Sequence, residues 1–364
     1  MKKKYIAVCI SMILIISIIA IIINKNNKEY IMQDGILLAL TLDGEKINEY
    51  PEGKNYEIEI NCENGKGKWL VDEWKLAIEE ITGNVVCNID FKSNPKSLKT
   101  KVEEVNVNNN YNSHGYRYSG KTPDNYIWFN NEIWRIIGSI PTCLEASCGT
   151  NTTNLVKIIR DESLGGLSFG TPNWGSNKLY TLLNSYYYGA ENGTGTNYCY
   201  SYSSTGVAEC NYTEIGIDES SYYGRMVKQV YWNTGISYYA NAVSAVYTTE
   251  IETRTVSGYI GLMAPSDYGY AASSDYHTTK LSGYNTSDIT GSNWLYGTGN
   301  EWTSVARSSN YLNFIEHTGS VIATASQDPT SYYGYGVRPV VYLDPSAYII
   351  SGDGTEGNPY QIGM

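Results

Sequence analysis

The sequence holds 364 residues with a formal net charge of −11, and 17% of the residues are charged. A chain with this negative balance repels nucleic acid and anionic membrane surfaces, so neither is expected as a partner. The 35 tyrosines and 35 glycines instead suit an extracellular, β-rich protein with many loops, in which tyrosine gives large, stiff contact area. Any single tyrosine can equally serve as an ordinary strand residue.

The N-terminus predicts a membrane anchor. Lysines at positions 2–4 precede a largely apolar run from Tyr5 to Ile23 that holds no charged side chain. This run matches the roughly 30 Å hydrocarbon core of a bilayer, and it lacks the small-x-small site of a cleaved signal peptide. We therefore expect residues 1–25 to form a cytoplasmic lysine cluster and a single transmembrane signal anchor. Because the lysines precede the helix, the N-terminus should stay inside the cell and the bulk of the chain outside.

Cysteine usage agrees with export. Beyond Cys9 in the anchor, six cysteines fall into three neighbouring pairs, although six cysteines permit 15 connectivities. No C-x-x-C is present and the three histidines lie far from the cysteines, so we expect disulfides and no zinc site. The predicted disulfides join Cys62 with Cys87, Cys143 with Cys148, and Cys199 with Cys210.

After the anchor, the chain predicts a small β domain over 26–92, a linker over 93–115 and a larger α+β domain over 116–364. In the small domain, segments 36–42, 56–60 and 84–91 have the composition and alternation of strands. A disulfide between Cys62 and Cys87 would staple them. Residues 93–115 are polar, first lysine-rich and then asparagine-rich, with little periodicity, which is typical of a linker.

The larger domain shows strand patterns at both ends and helix patterns in its middle. Two strands flank Asn130-Asn131, and asparagine tolerates the positive φ of a tight hairpin turn, which predicts a β-hairpin. Ser176 is predicted to cap a helix, because Leu179, Leu182, Leu183 and Tyr186 follow it at helical spacing. A weaker helix is expected over 222–232. The other predicted strands are 155–160, 258–263, 301–306, 311–316, 321–325 and 337–343.

Six segments carry a recognisable pattern: 126–138 (YIWFNNEIWRIIG), 157–163 (KIIRDES), 261–270 (GLMAPSDYGY), 293–295 (NWL), 336–343 (GVRPVVYL) and 352–360 (GDGTEGNPY). They resemble a family of uncharacterised membrane-anchored surface proteins of gut Firmicutes and mollicute-like bacteria, which share a domain of unknown function. The resemblance covers nearly the whole chain beyond the anchor.

A more distant resemblance joins Glu301-Trp302 through Arg338-Pro339 to the end of the C-type-lectin-like fold, as found in formylglycine-generating enzymes and variable receptor-binding proteins. It implies a domain of short antiparallel sheets with one or two helices. In the variable receptor proteins, the residues between the tryptophan and the Gly-x-Arg segment form the ligand face. Carried over, that face consists of Trp302, Ser304, Arg307, Ser308, Asn310, Tyr332, Tyr333 and Tyr335. Arg338 is expected to anchor a buried carboxylate or carbonyl.

Catalytic and metal-binding interpretations are weaker. Residues 166–170 match G-x-S-x-G around Ser168, but Thr171-Pro172 follows where that motif needs a helix. No cysteine matches the active site of the formylglycine-generating enzymes, so their chemistry is not carried over. Asp353, Glu356 and Asn358 could offer oxygen ligands to calcium, but a plain β-turn fits the segment better. We expect no catalytic residue, cofactor or metal.

The sequence thus predicts a cell-surface adhesin or recognition protein that binds a glycan or a protein without catalysis. A structural envelope protein with no specific ligand is one alternative. An extracellular hydrolase that uses Ser168 is the other.

Overall fold

The computed structural model describes residues 22–23, 29–33, 35–52, 56–71, 73–109, 114–194, 210–325 and 334–364. The chain divides into two compact units. Unit 1 runs to Lys96 and adds 349–352 and 361–363, whereas unit 2 comprises 97–348, 353–360 and the last residue. Within the described parts, no helix is both long and apolar enough to span a bilayer. The predicted anchor lies outside the described residues except for Ile22–Ile23, which pair as a strand with Glu29 and Tyr30 and so differ from the helix predicted for them.

Unit 1 is built on a sheet in the order β1-β2-β3-β8-β5, with β4 added beside β3 and a separate β6–β7 hairpin. Strand β3 pairs in parallel with β8, and β5 pairs with β8 in antiparallel orientation. The strands are β1 Ile22–Ile23, β2 Glu29–Gln33, β3 Ile36–Leu42, β4 Glu45–Ile47, β5 Tyr56–Glu63, β6 Lys66–Leu70, β7 Lys75–Glu79 and β8 Val86–Ser93. The predicted strand 36–42 is confirmed.

Aromatic side chains and one disulfide hold unit 1 together. Trp69 is 1% exposed, and its ring centroid lies 5.0 Å from that of Tyr50, 5.2 Å from Trp74 and 5.4 Å from Phe91. Cys62 and Cys87 face each other across β5 and β8 and form the predicted disulfide. A small domain can bury only a limited apolar area, which is why such a crosslink matters here.

Unit 2 contains two main sheets. The first has the order β14-β21-β12-β11-β10 with β9 beside β11, and the second has the order β13-β20-β17-β18-β19. A short β15–β16 pair lies apart from them. The strands are β9 Tyr116–Arg117, β10 Tyr126–Phe129, β11 Glu132–Thr142, β12 Thr153–Arg160, β13 Gly166–Leu167, β14 Val227–Lys228, β15 Val230–Trp232, β16 Val256–Gly258, β17 Glu301–Ser308, β18 Tyr311–Ile315, β19 Val321–Ala325, β20 Tyr335–Gly336 and β21 Val340–Leu343. At the end of the chain, β22 Tyr348–Ser351 and β23 Tyr360–Gly363 pair with each other, and most of their residues belong to unit 1.

The predicted hairpin at Asn130-Asn131 is confirmed. The two residues have φ values of 53° and 61°, and Phe129 pairs with Glu132 directly across the turn. Both central residues therefore have the positive φ that a two-residue hairpin turn requires, and asparagine adopts this conformation more readily than most residues.

Helices are more numerous than predicted. Instead of one or two helices, the described part of 116–364 holds four short ones, and another lies in the predicted linker. They are α1 Leu98–Val105, α2 Lys178–Leu182, α3 Val243–Glu250, α4 Pro265–Ala271 and α5 Ser287–Thr290. Single 3₁₀ turns cover 107–109, 224–226, 274–276 and 281–283, and one π turn covers 183–187.

Three predictions need correction. The segment 93–115 is not a plain linker, because α1 buries Leu98 and Val102, one turn apart. The weak helix over 222–232 is wrong, since strands β14 and β15 lie there. The expected helix exists but is capped by Asn177, whose side chain accepts a hydrogen bond from the Tyr180 N–H.

The second predicted disulfide, Cys143–Cys148, is also present. Arg254 lies against it: Nη1 is 3.4 Å from the Cys143 sulfur and 3.9 Å from the Cys148 sulfur. Cys210 is disulfide-bonded as well, while Cys199 lies outside the described residues.

Candidate functional site

The residues predicted as a ligand face divide into a buried and an accessible group. Trp302 and Ser304 are only 1% and 3% exposed. The Trp302 indole N–H donates to the Leu167 carbonyl at 2.7 Å, and its ring packs 4.4 Å from that of Tyr335. These side chains therefore belong to the core under the second sheet of unit 2, and Trp302 is not a surface contact.

The accessible group lies at the other end of β17. Arg307 and Ser308 are half-buried, and Asn310 is exposed at the turn into β18. Tyr332 and Tyr333 lie outside the described residues. Of the predicted ligand face on β17, only the last residues of the strand reach solvent.

A loop from another part of the chain completes this surface. The Ser237 N–H donates to the Ala306 carbonyl at 3.0 Å, and the Asn313 side-chain amide donates to the Ser237 carbonyl at 3.1 Å. Because side chains alternate along a strand, Tyr311 lies on the same face of β18 as Asn313. The loop therefore lies over the face that carries Tyr311.

We call the surface formed by this loop and the β17–β18 turn the hairpin patch. Tyr238 and Tyr311 are 38% and 49% exposed, and they are the two aromatic side chains in the exposed class among the described residues. Ile236, 42% exposed, stands two residues before Tyr238 in the same loop. The hairpin patch consists of Ile236, Tyr238, Tyr239, Arg307, Ser308, Asn310 and Tyr311.

The sequence alone did not reveal the contribution of the loop. Tyr238 and Tyr239 stand in a chain with 35 tyrosines, so their presence carries little information by itself. The pairing of Ser237 with Ala306 joins segments about 70 residues apart, and no periodic pattern predicts such a contact.

Arg307 has a different environment from the other arginines. The other six donate hydrogen bonds to protein acceptors; they are Arg117, Arg135, Arg160, Arg225, Arg254 and Arg338. Arg307 forms no hydrogen bond or ion pair with any described residue. Its guanidinium carbon lies over the Tyr238 ring, 4.3 Å from the centroid, and 5.7 Å from the centroid of Tyr239. Contact with ring faces leaves the N–H donors at the edge of the guanidinium group free.

A buried carboxyl group supports the loop from below. Glu250, at the end of α3, is 0% exposed and accepts hydrogen bonds from the Ser266 N–H at 3.0 Å, the Ser266 hydroxyl, and the Ser237 hydroxyl at 3.2 Å. Burial raises the pKa of Glu250 to about 7, although the hydrogen bonds from Ser266 oppose the change. The patch loop is thus connected to a group that titrates near neutral pH.

A buried ion cluster lies next to this carboxyl group. Asp267 accepts from Arg117 at 2.8 Å and from Lys157 at 2.5 Å, and all three side chains are at most 4% exposed. Burial alone would raise the pKa of Asp267, but Lys157 and Arg117 outweigh it and hold the pKa below its usual range. Asp267 also accepts from the Ala264 N–H at the start of α4, which aligns this helix.

His114 lies at the edge of the ion cluster. Its Nδ1 is 2.7 Å from the Tyr270 hydroxyl, and its ring lies 4.4 Å from that of Tyr247. Burial, assisted by the charge of Arg117, lowers the pKa of His114 to about 4. The imidazole is therefore neutral across the pH range in which Glu250 titrates.

A cleft of about 500 Å³ lies at the opposite end of β17. Glycines supply much of its wall, at positions 165, 166, 297, 299, 334 and 336. At its edge, Arg338 donates to both carboxylate oxygens of Glu301 at 2.6 and 2.8 Å, which confirms the expected anchoring role of Arg338. Asp161 lies 3.8 Å from Arg135. Because these charges are already paired and no described aromatic side chain lines the cleft, the hairpin patch is the better candidate for recognition.

The catalytic and metal interpretations gain no support. Ser168 is 2% exposed, and α2 begins only at Lys178, so the serine is not on a strand-to-helix turn. At the C-terminal turn, Asp353 accepts from the N–H and hydroxyl of Thr355, as in an ordinary Asx turn. The described residues contain no group of three or more His, Cys, Asp or Glu side chains placed to hold a metal ion.

Comparison with known proteins yields no relative: no family model, curated protein or solved structure matches this chain.

Proposed function

We propose that this protein is a recognition protein that binds a glycan through the hairpin patch. The observation that carries the proposal is that the two exposed aromatic side chains of the described residues both belong to this patch. Tyr238 contacts the Arg307 guanidinium group, and Tyr311 begins β18 opposite Ser308. Exposed aromatic rings are costly in water and mark binding surfaces when they cluster. Ser308 and Asn310 add the hydroxyl and amide groups that sugar hydroxyls can pair with.

The size of the patch favours a glycan over a protein partner. A stable protein interface uses about 20–30 residues on each side. The hairpin patch has a handful of residues, which suits a ligand of a few sugar rings. The same experiment can reveal the two alternatives: binding to a protein, or no binding at all, as expected of a structural envelope protein.

We further propose that the protein acts at the cell surface, held by a transmembrane helix within the apolar run that begins at Tyr5, with its N-terminus inside. The apolar N-terminal sequence supports this location. Disulfides persist in oxidising compartments, so the Cys62–Cys87 and Cys143–Cys148 bonds support export as well. The C-type-lectin-like ancestry suggested by Glu301-Trp302 and Arg338-Pro339 is part of the same proposal.

The test is a glycan array and a panel of surface proteins probed with the purified protein and with Tyr238→Ala/Tyr311→Ala. We expect the wild-type protein to bind a subset of glycans and the double variant to lose at least about tenfold in affinity, because stacking on both rings is removed. Val107→Ala, which truncates an exposed apolar residue of the 107–109 turn, serves as the control and should bind normally.

If glycan binding is unchanged in the double variant, the hairpin patch is not the binding site. If the protein binds only other proteins, the ligand is not a glycan, and the absence of any ligand would favour the structural role. Equal melting temperatures of the three proteins must accompany any loss, so that a folding defect is not mistaken for a lost contact.

A further inference from the structure

We infer that Arg307 makes the hairpin patch selective for a carboxylate-bearing glycan, so that the ligand is an acidic sugar rather than a neutral one. This inference rests on the proposed function and adds the chemical class of the ligand. It begins from the one arginine whose donors no described residue accepts.

The free donors are held in place by their surroundings. Arg307 is half-buried and lies over Tyr238, with Tyr239 beside it. A guanidinium group in contact with aromatic rings loses side-chain freedom before a ligand arrives, so less entropy is lost on binding. Its planar fork also matches the two oxygens of a carboxylate.

Other arginines of the same chain show what such a fork does when an acid is near. Arg160 donates Nε and Nη2 to the carboxylate of Glu132 at 2.6–2.9 Å, and Arg338 binds Glu301 in the same two-pronged way. Arg307 has the same chemistry but no acidic partner within the described residues. A carboxylate on the ligand would complete an equivalent pair.

The charge of the whole chain limits the possible ligands further. With a formal net charge of −11, the protein repels dense polyanions such as nucleic acid at long range. A glycan with one or a few carboxylates meets this repulsion only weakly at physiological salt, where charges more than about 8 Å apart are largely screened. The short-range pair with Arg307 then decides the selectivity.

The experiment uses the full-length protein and pairs of oligosaccharides that differ only at the carboxylate. Uronate-bearing and sialate-bearing oligosaccharides are compared with their methyl esters by calorimetry. We expect whichever acidic oligosaccharide binds more tightly, the uronate or the sialate, to have at least about tenfold higher affinity than its own methyl ester. This preference should weaken at high salt.

Two variants at the same position make the test specific. Arg307→Gln should abolish the preference for the acid, so that each acid and its ester bind with equal affinity. Arg307→Lys should retain part of the preference, since an ammonium group keeps the charge but loses the fork. Melting temperatures of both variants should match that of the wild-type protein.

The two levels of the proposal can fail separately. An ester bound as tightly as its acid, a preference that survives in Arg307→Gln, or binding of neutral glycans alone would overturn the inference and leave glycan recognition standing. If no glycan binds at all, the proposed function fails and the inference fails with it.

Discussion

The two units of this chain are stabilised in chemically different ways. Unit 1 has an aromatic core around Trp69, reinforced by the Cys62–Cys87 disulfide. Unit 2 buries the charged side chains of Arg117, Lys157 and Asp267 and the carboxyl group of Glu250. Rings and disulfides do not titrate near neutral pH, whereas buried carboxyl groups do. The comparison therefore predicts that unit 1 is insensitive to pH and that unit 2 responds to it.

The largest expected effect tests the ion cluster directly. Asp267→Ala removes the carboxylate that Arg117 and Lys157 share, and takes from both cations their buried acidic partner. We expect a loss of about 3–5 kcal/mol in the free energy of unfolding, measured by denaturant titration. Asp288→Ala removes an exposed aspartate of α5 and should change stability by less than about 0.5 kcal/mol. A similarly small loss for Asp267→Ala would show that the cluster contributes little.

The second effect concerns unit 1. Replacing Cys62 and Cys87 together by alanine frees a loop with a sequence separation of 25 residues. The free energy of unfolding of unit 1 should fall by about 3 kcal/mol, which would be measured as faster hydrogen exchange of residues 36–93. This loss should be equal at pH 5 and pH 8, because nothing removed is ionisable. A loss that differs between the two pH values would contradict the prediction that the stability of unit 1 is insensitive to pH.

The smallest expected effect is the pH dependence of the stability of unit 2, whose sign follows from Glu250. The folded-state pKa of Glu250 is raised to about 7 from an ordinary value of 4.5, so its contribution to stability is fully present below the unfolded pKa and is lost as the pH rises through 7. Between pH 5 and pH 8 the wild-type protein should lose about 2 kcal/mol. Glu250→Gln cannot ionise and should remove most of that slope.

The groups around Glu250 do not reproduce this slope. Asp267 and Lys157 stay charged between pH 5 and pH 8, since the pKa of the first is lowered and that of the second is raised. His114, with a pKa of about 4, stays neutral. Glu252→Gln, at an exposed position next to α3, is the matched control and should keep the wild-type slope. An unchanged slope in Glu250→Gln would place the titrating group elsewhere.

Local patterns in the sequence predicted local structure well. The alternation over 56–60, the Asn130-Asn131 turn and the strand pattern over 321–325 are local features, and all three are found. The spacing of the cysteines likewise predicted two of the disulfides. Strands and turns depend on residues that are close in sequence, and a disulfide depends on which of a few cysteines are neighbours along the chain.

Features that depend on distant contacts were missed. Helices α3 and α4 span eight and seven residues, too short for periodicity to separate them from strands or loops. Trp302 was expected on a surface because a resemblance placed it there, but the packing of Phe169 and Tyr335 against its ring buries it. The loop of the hairpin patch reaches β17 only through the fold, so no local signal could include Tyr238.

The position of Arg254 beside the Cys143–Cys148 disulfide has a consequence for how the protein tolerates reducing conditions. A guanidinium group next to both sulfurs stabilises the thiolate that forms when the bond opens. Each of the two disulfides joins one buried and one partly accessible cysteine, so the nearby guanidinium group is what distinguishes them. We therefore expect mild reductants to reduce the Cys143–Cys148 disulfide before the Cys62–Cys87 disulfide of unit 1.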